Sequence, residues 1–316
     1  MLTAVQHQDK AAKYLRRFVE GNLVSSTLLV GNEGVGRKFS VLHAVQEVFC
    51  SENKTPDCSC YSCSAVLRGA HPDLTVLQAG DSTIGVDAIR EITERSKAYP
   101  SSAPVRCFLI DGADRLTVPA ANAFLKTLEE PPTLSRFFLL AEVYDQVLPT
   151  IRSRCGCIHY SALPEAFIVS VLHQYAGDDA KALVYARMGE GSVGNAVQYW
   201  GSGRLGLRDQ ILKVVQLSLD RDLPAFFAAV DAIDQDLPLA LKFLEQVLHD
   251  VFMVRVDPMR IINVDRTDDI RSMSARAPVK VWASLANKVR ALRTQQRTTY
   301  IYVPFHLKTV LAESFV

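Results

Sequence analysis

The chain has 316 residues, 48% of them hydrophobic and 22% charged, which suggests two or three domains with substantial cores and excludes a small disulfide-held scaffold. The 35 Lys and Arg residues nearly balance the 34 Asp and Glu residues, and the formal net charge of +1 excludes a global electrostatic attraction to nucleic acid. No apolar run approaches the ~20 residues of a membrane span or forms a signal peptide, so we expect a cytoplasmic protein with no membrane partner.

The first predicted elements are a helix over residues 9–20 and a buried strand from Thr27 to Val30. A glycine-rich turn follows this strand directly, and apolar residues then recur at helical spacing between residues 41 and 49. The turn therefore lies between a strand and a helix, which is the context that a phosphate-binding loop requires.

The glycine-rich turn keeps only part of the phosphate-binding motif G-x-x-x-x-G-K-[ST]. In that motif backbone N–H groups surround the phosphates, the lysine reaches the outer phosphates and the hydroxyl binds Mg²⁺. The glycines of this chain are Gly31, Gly34 and Gly36. Arg37 stands at the lysine position and Lys38 at the hydroxyl position; if the loop is slipped by one residue, Phe39 takes the hydroxyl position. Neither register provides a metal ligand, so we predict no Mg²⁺-nucleotide hydrolysis. The alternative to a degenerate phosphate-binding loop is a glycine-rich turn that binds no ligand at all.

Four of the seven cysteines lie close together after this helix, at Cys50, Cys58, Cys60 and Cys63. Disulfides are not expected in a reducing compartment, whereas four thiolates can hold a structural zinc ion in tetrahedral geometry. Cys60 and Cys63 have the Cys-x-x-Cys spacing of such sites, but Cys58-x-Cys60 is one residue shorter. A reduced thiol cluster without metal is the alternative. We assign His71 to a turn with Pro72 and not to the metal.

Further buried strands alternate with helices up to residue 160. Strands are predicted over residues 74–77, 105–111, 136–141 and 157–160, and helices over residues 86–97 and 117–128. This alternation predicts a parallel sheet covered by helices on both faces. Asp111 ends a strand where active nucleotide hydrolases have Asp-Glu, but Gly112 replaces the glutamate. We therefore expect Asp111 to be a cap or turn residue.

After Pro164 the pattern is entirely helical. Three short helices are predicted over residues 166–175, 179–187 and 192–200, and longer ones over residues 212–219, 224–233, 238–256 and 279–294. A Gly-Ser-Gly break at residues 201–203 separates the two groups. We therefore predict an α/β domain (residues 1–161) with an inserted cysteine module (50–63), a three-helix domain (162–203) and an all-α C-terminal domain (204–316).

The order of these motifs resembles the bacterial clamp-loader subunits of the AAA+ class, and within that family the delta-prime branch of DNA polymerase III. The resemblance spans nearly the whole chain. It is carried by the degenerate loop, the cysteine module, His71-Pro72-Asp73, Gly85 to Arg90, Ala120 to Pro132 and Ser153-Arg154-Cys155. It implies a P-loop domain of AAA+ type, a small helical lid domain and a helical C-terminal collar that joins subunits.

The triplet Ser153-Arg154-Cys155 matches the family motif that carries an arginine finger. The resemblance therefore implies that Arg154 enters the ATP site of a neighbouring subunit, where a planar guanidinium can stabilise phosphate charge. The ATP-hydrolysing gamma/tau subunits have a threonine or asparagine after the fourth strand and an arginine near residue 194, whereas this chain has Glu142 and Gly194. The family usually has two consecutive Cys-x-x-Cys steps, which makes Cys58 the least certain zinc ligand.

We interpret the chain as a non-hydrolysing, delta-prime-like subunit without intrinsic activity, belonging to a DNA-directed DNA polymerase holoenzyme. The resemblance implies a ring with gamma/tau and delta subunits that uses ATP to load the sliding clamp onto primed DNA. Structural zinc is the expected cofactor, and residual nucleotide binding at the loop is left open. One alternative is an active gamma/tau-like ATPase that uses Lys38 in a slipped loop. Another is a zinc-stabilised helical scaffold with no role in replication.

Overall fold

The structure is a computed structural model that describes residues 1–2, 5–22, 24–80, 82–176, 179–233, 236–298 and 303–314. The chain divides into two compact units. The first unit contains residues 1–164 and 191–194, and the second contains residues 165–190 and 195–316. The division into three domains, with residues 162–203 separate from residues 204–316, stays a prediction.

The first unit is built on a five-stranded sheet in which every neighbouring pair of strands is parallel. The strands are β1 (Ser26–Val30), β2 (Leu74–Gln78), β3 (Arg106–Asp111), β4 (Ser135–Ala141) and β5 (Gly156–His159). They lie in the order β2-β3-β4-β1-β5, so β1 is an interior strand, and all five of its residues are buried. The predicted parallel α/β sheet is confirmed, and each strand is found close to its predicted position.

The register of the sheet determines which loops share an edge. Val30 at the end of β1 pairs with Ala141 at the end of β4, and Asp111 at the end of β3 pairs with Leu140. The glycine loop, Gly112 and the residues after β4 therefore follow the carboxyl ends of three adjacent strands. This is the edge at which open α/β sheets bind ligands.

Helices cover both faces of the sheet. They are α1 (Asp9–Val19), α2 (Arg37–Phe49), α3 (Tyr61–Leu67), α4 (Val86–Ser96), α5 (Val118–Glu129) and α6 (Pro149–Arg152). One buried cluster joins α1 and α2 to Leu29 and Phe138, and another joins α4 and α5 to Leu28 and Phe137. Alternate strand residues enter different cores because successive side chains point to opposite faces. The interior strands β1, β3 and β4 therefore contain continuous apolar runs rather than alternating apolar and polar residues.

Helix α3 begins within the cysteine module (50–63), where no helix was predicted. The sulfur of Cys60, its N-cap residue, accepts a hydrogen bond from the N–H of Cys63 at 3.4 Å. Cys63, Ala65 and Val66 are buried on its inner side. A helix of seven residues is too short to reveal a helical period in the sequence, which explains the missed prediction.

The second unit is built from helices. They are α7 (Glu165–Ala176), α8 (Asp179–Met188), α9 (Val193–Gly201), α10 (Leu205–Asp220), α11 (Leu223–Asp231), α12 (Leu237–Val256), α13 (Thr267–Ala275), α14 (Val279–Thr298) and α15 (Val303–Ser314). The first two residues of α9 belong to the first unit. Helices α13 and α15 were not predicted; in α13 only Ile270, Met273 and Ser274 are buried, which leaves too narrow an apolar stripe. Within the described ranges, no helix has the length and apolar character needed to traverse a bilayer.

Candidate functional site

The glycine loop joins β1 to α2. Gly36 is the N-cap residue of α2 and has a φ of 99°, a left-handed conformation that favours glycine. A Cβ atom at Gly31 would lie 2.8 Å from the Cβ of Tyr160, so this position also excludes a side chain. The N–H groups of Gly36, Arg37 and Lys38 donate to no acceptor in the described part of the chain, as is usual for the start of a helix. The loop therefore keeps backbone donors of the kind that bind anions.

The segment that opens α9 lies directly against this loop. The N–H of Gly194 donates to the carbonyl oxygen of Gly34 at 3.1 Å. A Cβ atom at Gly194 would lie 2.7 Å from the Cα of Gly34, and one at Gly34 would lie 2.9 Å from the Cα of Gly194. Both glycines are therefore required for this close approach, and backbone of the same unit fills the space beside the loop.

The side chains that follow the loop offer no ligand to a magnesium ion. Arg37 is 7% exposed and has no hydrogen bond or ion pair within the ranges that the structure describes. Lys38 is a cation and Phe39 is apolar and half exposed. The hydroxyl of Ser40 donates back to the carbonyl oxygen of Gly36 at 2.7 Å. The first turn of α2 thus has its only hydroxyl turned to its own backbone.

The end of β3 is shaped for glycine and not for a catalytic glutamate. Gly112 has a φ of 106°, and a Cβ atom there would lie 2.7 Å from the Cβ of Ala79. A glutamate at this position would be strained by its backbone and crowded by Ala79. Asp111 was expected to be a cap or turn residue; it is the last residue of β3, and no side chain caps the helical turn after Gly112.

Asp114, in the turn after β3, binds the loop that follows β4 at the same edge of the sheet. Its carboxylate accepts hydrogen bonds from the N–H groups of Glu142 at 2.9 Å and Val143 at 3.2 Å. The Glu142 carboxylate lies 3.4 Å from the guanidinium of Arg115. Acidic and basic groups here pair with each other, which links the loop after β3 to the loop after β4.

The four clustered cysteines come together in space. One ligand atom from each of Cys50, Cys58, Cys60 and Cys63 lies within 4.8 Å of the other three. Four sulfurs around one zinc ion at ~2.3 Å are separated by about 3.8 Å, so the group fits a tetrahedral metal. Cys58, the least certain candidate, belongs to the group, and its sulfur lies 3.6 Å from that of Cys50.

The thiols differ in how readily they ionise. Burial opposes ionisation of Cys50, but N–H groups of Glu52 and Lys54 outweigh it and lower the pKa of the Cys50 thiol to about 7. Burial raises the pKa of Cys63, and neighbouring thiols raise it further. One thiolate is therefore readily available, and a bound cation would favour deprotonation of the others.

His71 takes no part in this cluster. Its Nδ1 atom accepts the N–H of Asp73 at 3.1 Å, and its ring packs against Phe49 with centroids 4.8 Å apart. It therefore closes the turn before β2, as the sequence indicates.

Arg154 lies just after α6, and its side chain is 30% exposed. Its Nε atom donates to Oε1 of Glu129 at 2.7 Å, and its Nη2 atom donates to the same oxygen. Its Nη1 atom donates to the carbonyl oxygen of Thr150 at 2.9 Å and to the hydroxyl of Ser153 at 3.1 Å. The contact with Glu129 was not anticipated, because no local pattern links residues 25 positions apart.

Comparison with known proteins finds similarity to subunits of DNA polymerase III. The family model described as DNA polymerase III, delta subunit, matches residues 7–164, which is half of the chain. DNA polymerase III subunit delta' of Escherichia coli (strain K12) is 31% identical over 210 residues, covering 65% of this chain and 62% of the relative. The alignment thus spans less than two thirds of that relative's length.

Two Bacillus subtilis (strain 168) proteins are also similar. DNA polymerase III subunit delta' is 28% identical over 227 residues, covering 71% of this chain and 69% of the relative. DNA polymerase III subunit tau is 30% identical over 168 residues, covering 52% of this chain but only 29% of the relative. Of these two Bacillus subtilis proteins, delta' is therefore similar over more of this chain than tau is.

Proposed function

The chain belongs to the DNA polymerase III delta subunit family, and from this premise we propose that it is a delta-prime-like clamp-loader subunit that does not hydrolyse ATP. The proposal rests on the glycine loop, which keeps its backbone donors but lacks a ligand for a metal ion. Its donors remain, but the position of the metal-binding hydroxyl holds a cation and Gly194 lies against Gly34. Such a loop has lost the metal ligand that phosphoryl transfer requires.

The subunit would act on a neighbour's nucleotide through Arg154. Its guanidinium is partly exposed, and a planar cation with several donors suits the spreading charge of a phosphate in transfer. The catalytic contribution of the chain would therefore be made in trans, at the surface between subunits.

The cysteine cluster would hold one structural zinc ion. Cys50, Cys58, Cys60 and Cys63 would be its ligands, and no solvent or substrate position is left in a four-thiolate site. The ion would tie the end of α2 to the start of α3, a segment with few apolar residues of its own.

The proposed partners are the gamma/tau and delta subunits in a hetero-oligomeric ring. Through that ring the chain would serve the sliding clamp and primed DNA. We assign residues 162–203 to a lid domain and residues 204–316 to a collar domain that contacts other subunits. The nucleotidyltransferase activity would belong to the polymerase holoenzyme and not to this chain.

The test is reconstitution with gamma/tau, delta and the clamp. We expect the chain to assemble with them, and Arg154→Ala to assemble equally well, since a partly exposed arginine contributes little to stability. ATPase activity should fall partially, because only the site that faces this subunit loses a cation worth ~10³ to 10⁵ in rate. Clamp loading should fall further, because it requires the sites to act together.

Two further variants sharpen the test. Arg154→Lys should rescue poorly, because an ammonium cannot reproduce the planar fork. Arg152→Ala is the matched control, since Arg152 lies on the same turn but pairs with Asp145. Failure to assemble, or an Arg154→Ala complex that loads clamps at the unmodified rate, would contradict the proposal.

A further inference from the structure

Arg154 is held to its own chain by nearly all of its donors. A guanidinium has five N–H groups. Glu129 accepts from Nε and from Nη2, while the Thr150 carbonyl and the Ser153 hydroxyl accept from Nη1. Only one N–H, on Nη2, has no acceptor among the described residues. In this arrangement the group cannot offer two adjacent free donors to a phosphate.

The position of Glu129 is determined by helix ends. Glu129 is the last residue of α5, which Pro131 and Pro132 prevent from continuing, and α6 is a short helix that begins at Pro149. Helices α5 and α6 contact each other, so their ends bring the carboxylate to the guanidinium. Glu129 remains 48% exposed, which means that the pair can open without disturbing a core.

We propose that Glu129 is a positioning residue that binds Arg154 when no nucleotide is present. Its carboxylate then competes for the arginine with the phosphate of ATP bound to the neighbouring subunit. This inference rests on the proposed role of Arg154 as a finger in trans. A phosphate that accepts from two donors can use the Nε and Nη2 side of the guanidinium, which Glu129 now occupies, or the free Nη2 N–H together with one Nη1 N–H released from Thr150 or Ser153. The proposed competition rests on the first of these modes, in which Glu129 must release the arginine when the neighbour binds ATP.

The strength of the pair suits such an exchange. Exposed ion pairs change an equilibrium by only about two- to fivefold. A carboxylate of charge −1 therefore retains the arginine when no phosphate is present, yet yields to a triphosphate that carries more charge. Glu129 would thus set the ATP concentration at which the site engages, with little effect on the rate once the site is filled.

Glu129 could instead support Arg154 in its working position, and the change in activity when Glu129 is altered distinguishes the two roles. If Glu129 instead supported the arginine in its working position, its removal would lower activity as Arg154→Ala does. Competition predicts a gain. The test variant is Glu129→Gln, which removes the charge and keeps the shape. Its matched control is Glu130→Gln, which removes the charge of the next residue, an exposed glutamate without a described contact to Arg154.

The first measurement uses the isolated chain and requires no partner. In a ¹⁵N-labelled sample, the Arg154 Nε–H resonance is identified by its loss in Arg154→Lys. We expect faster exchange of this proton with water in Glu129→Gln and no change in Glu130→Gln. If this proton exchanges with water at the same rate in the unmodified chain, Glu129→Gln and Glu130→Gln, Glu129 does not hold Arg154. That result would overturn the inference whatever the function of the complex.

The second measurement uses the reconstituted clamp loader. We expect Glu129→Gln to lower the ATP concentration for half-maximal hydrolysis by about two- to fivefold with a nearly unchanged maximal rate. The shift should vanish in a background of Arg154→Ala. No shift, or a loss of maximal rate, would overturn the competition. If Arg154→Ala itself has no effect, the proposed finger fails, while the proton-exchange result still reports whether Glu129 holds the arginine.

Discussion

Gly194 donates its N–H to the carbonyl oxygen of Gly34 at 3.1 Å, with the two backbones too close for a side chain at either residue. In the hydrolysing subunits that the sequence resembles, an arginine is expected near residue 194. In this chain residue 194 is a glycine, and its backbone contacts the glycine loop at Gly34. At Gly194, where the resemblance leads us to expect a catalytic arginine in the hydrolysing subunits, this chain therefore has a close contact that a side chain would prevent.

This contact predicts that Gly194→Ala destabilises the protein. The new methyl group would lie 2.7 Å from the Gly34 Cα, which is backbone and has limited room to move. We expect a loss of about 1–3 kcal/mol in unfolding free energy, measured by thermal or denaturant unfolding. Gly201→Ala is the control, because a Cβ atom there meets nothing within 4 Å. Equal stability of the two variants would show that the contact is not tight.

The isolated chain is expected to hydrolyse ATP no faster than background. Arg37→Lys combined with Lys38→Thr should not create turnover, because Gly112 still lacks a catalytic carboxylate. Steady-state phosphate release measures both proteins. Turnover that Lys38→Ala abolishes would contradict this prediction and favour the gamma/tau-like alternative with a slipped loop.

The cysteine cluster is expected to bind about one zinc ion per chain. Cys58→Ser should lower the metal content and the melting temperature, since a serine hydroxyl is a poor zinc ligand and structural zinc contributes to folding. Elemental analysis and unfolding with and without a chelator provide the measurements. Cys157→Ser is the control, because Cys157 lies outside the cluster and is exposed. A metal-free protein that is equally stable would refute the site.

Asp73 is expected to be a major stabilising residue of the first unit. Its fully buried carboxylate accepts hydrogen bonds from the N–H groups of Ser101, Ser102 and Ala103 at 2.7–2.9 Å. Asp73→Asn replaces one acceptor oxygen by a donor that faces these N–H groups. We expect a loss of roughly 2–4 kcal/mol in unfolding free energy near pH 7. Asp87→Asn, at a side chain that is 92% exposed, should be nearly neutral.

The same carboxylate predicts a pH dependence. Burial opposes its ionisation, but the three N–H donors outweigh burial and lower the pKa of Asp73. Its stabilisation is therefore fully present above the usual aspartate pKa of about 4 and is lost as pH falls through the lowered value. The difference in stability between the unmodified protein and Asp73→Asn should shrink in acid. A difference that is constant down to pH 2 would contradict this assignment.

Local patterns in the sequence were sufficient for the sheet, the spacing of the glycine loop and the substitutions within it. Apolar runs such as 137–141 indicate burial directly, and the motif positions of Arg37 and Lys38 depend only on counting from Gly31. The cysteine spacing likewise indicated a metal site, although α3 was missed because seven residues cannot display a period. These features depend on neighbours in the chain, so the chain alone was enough to predict them.

Only the tertiary structure decided which distant groups meet. Three contacts join residues from separate elements: that between Gly194 and Gly34, that between the Asp73 carboxylate and the loop before β3, and that between Glu129 and Arg154. Such contacts depend on where the chain returns after a helix or strand. Hydrogen bonds between single side chains also leave no periodicity in a sequence. The sequence therefore determined which residues were available for binding and catalysis, and the packing of helix ends determined which partners they contact.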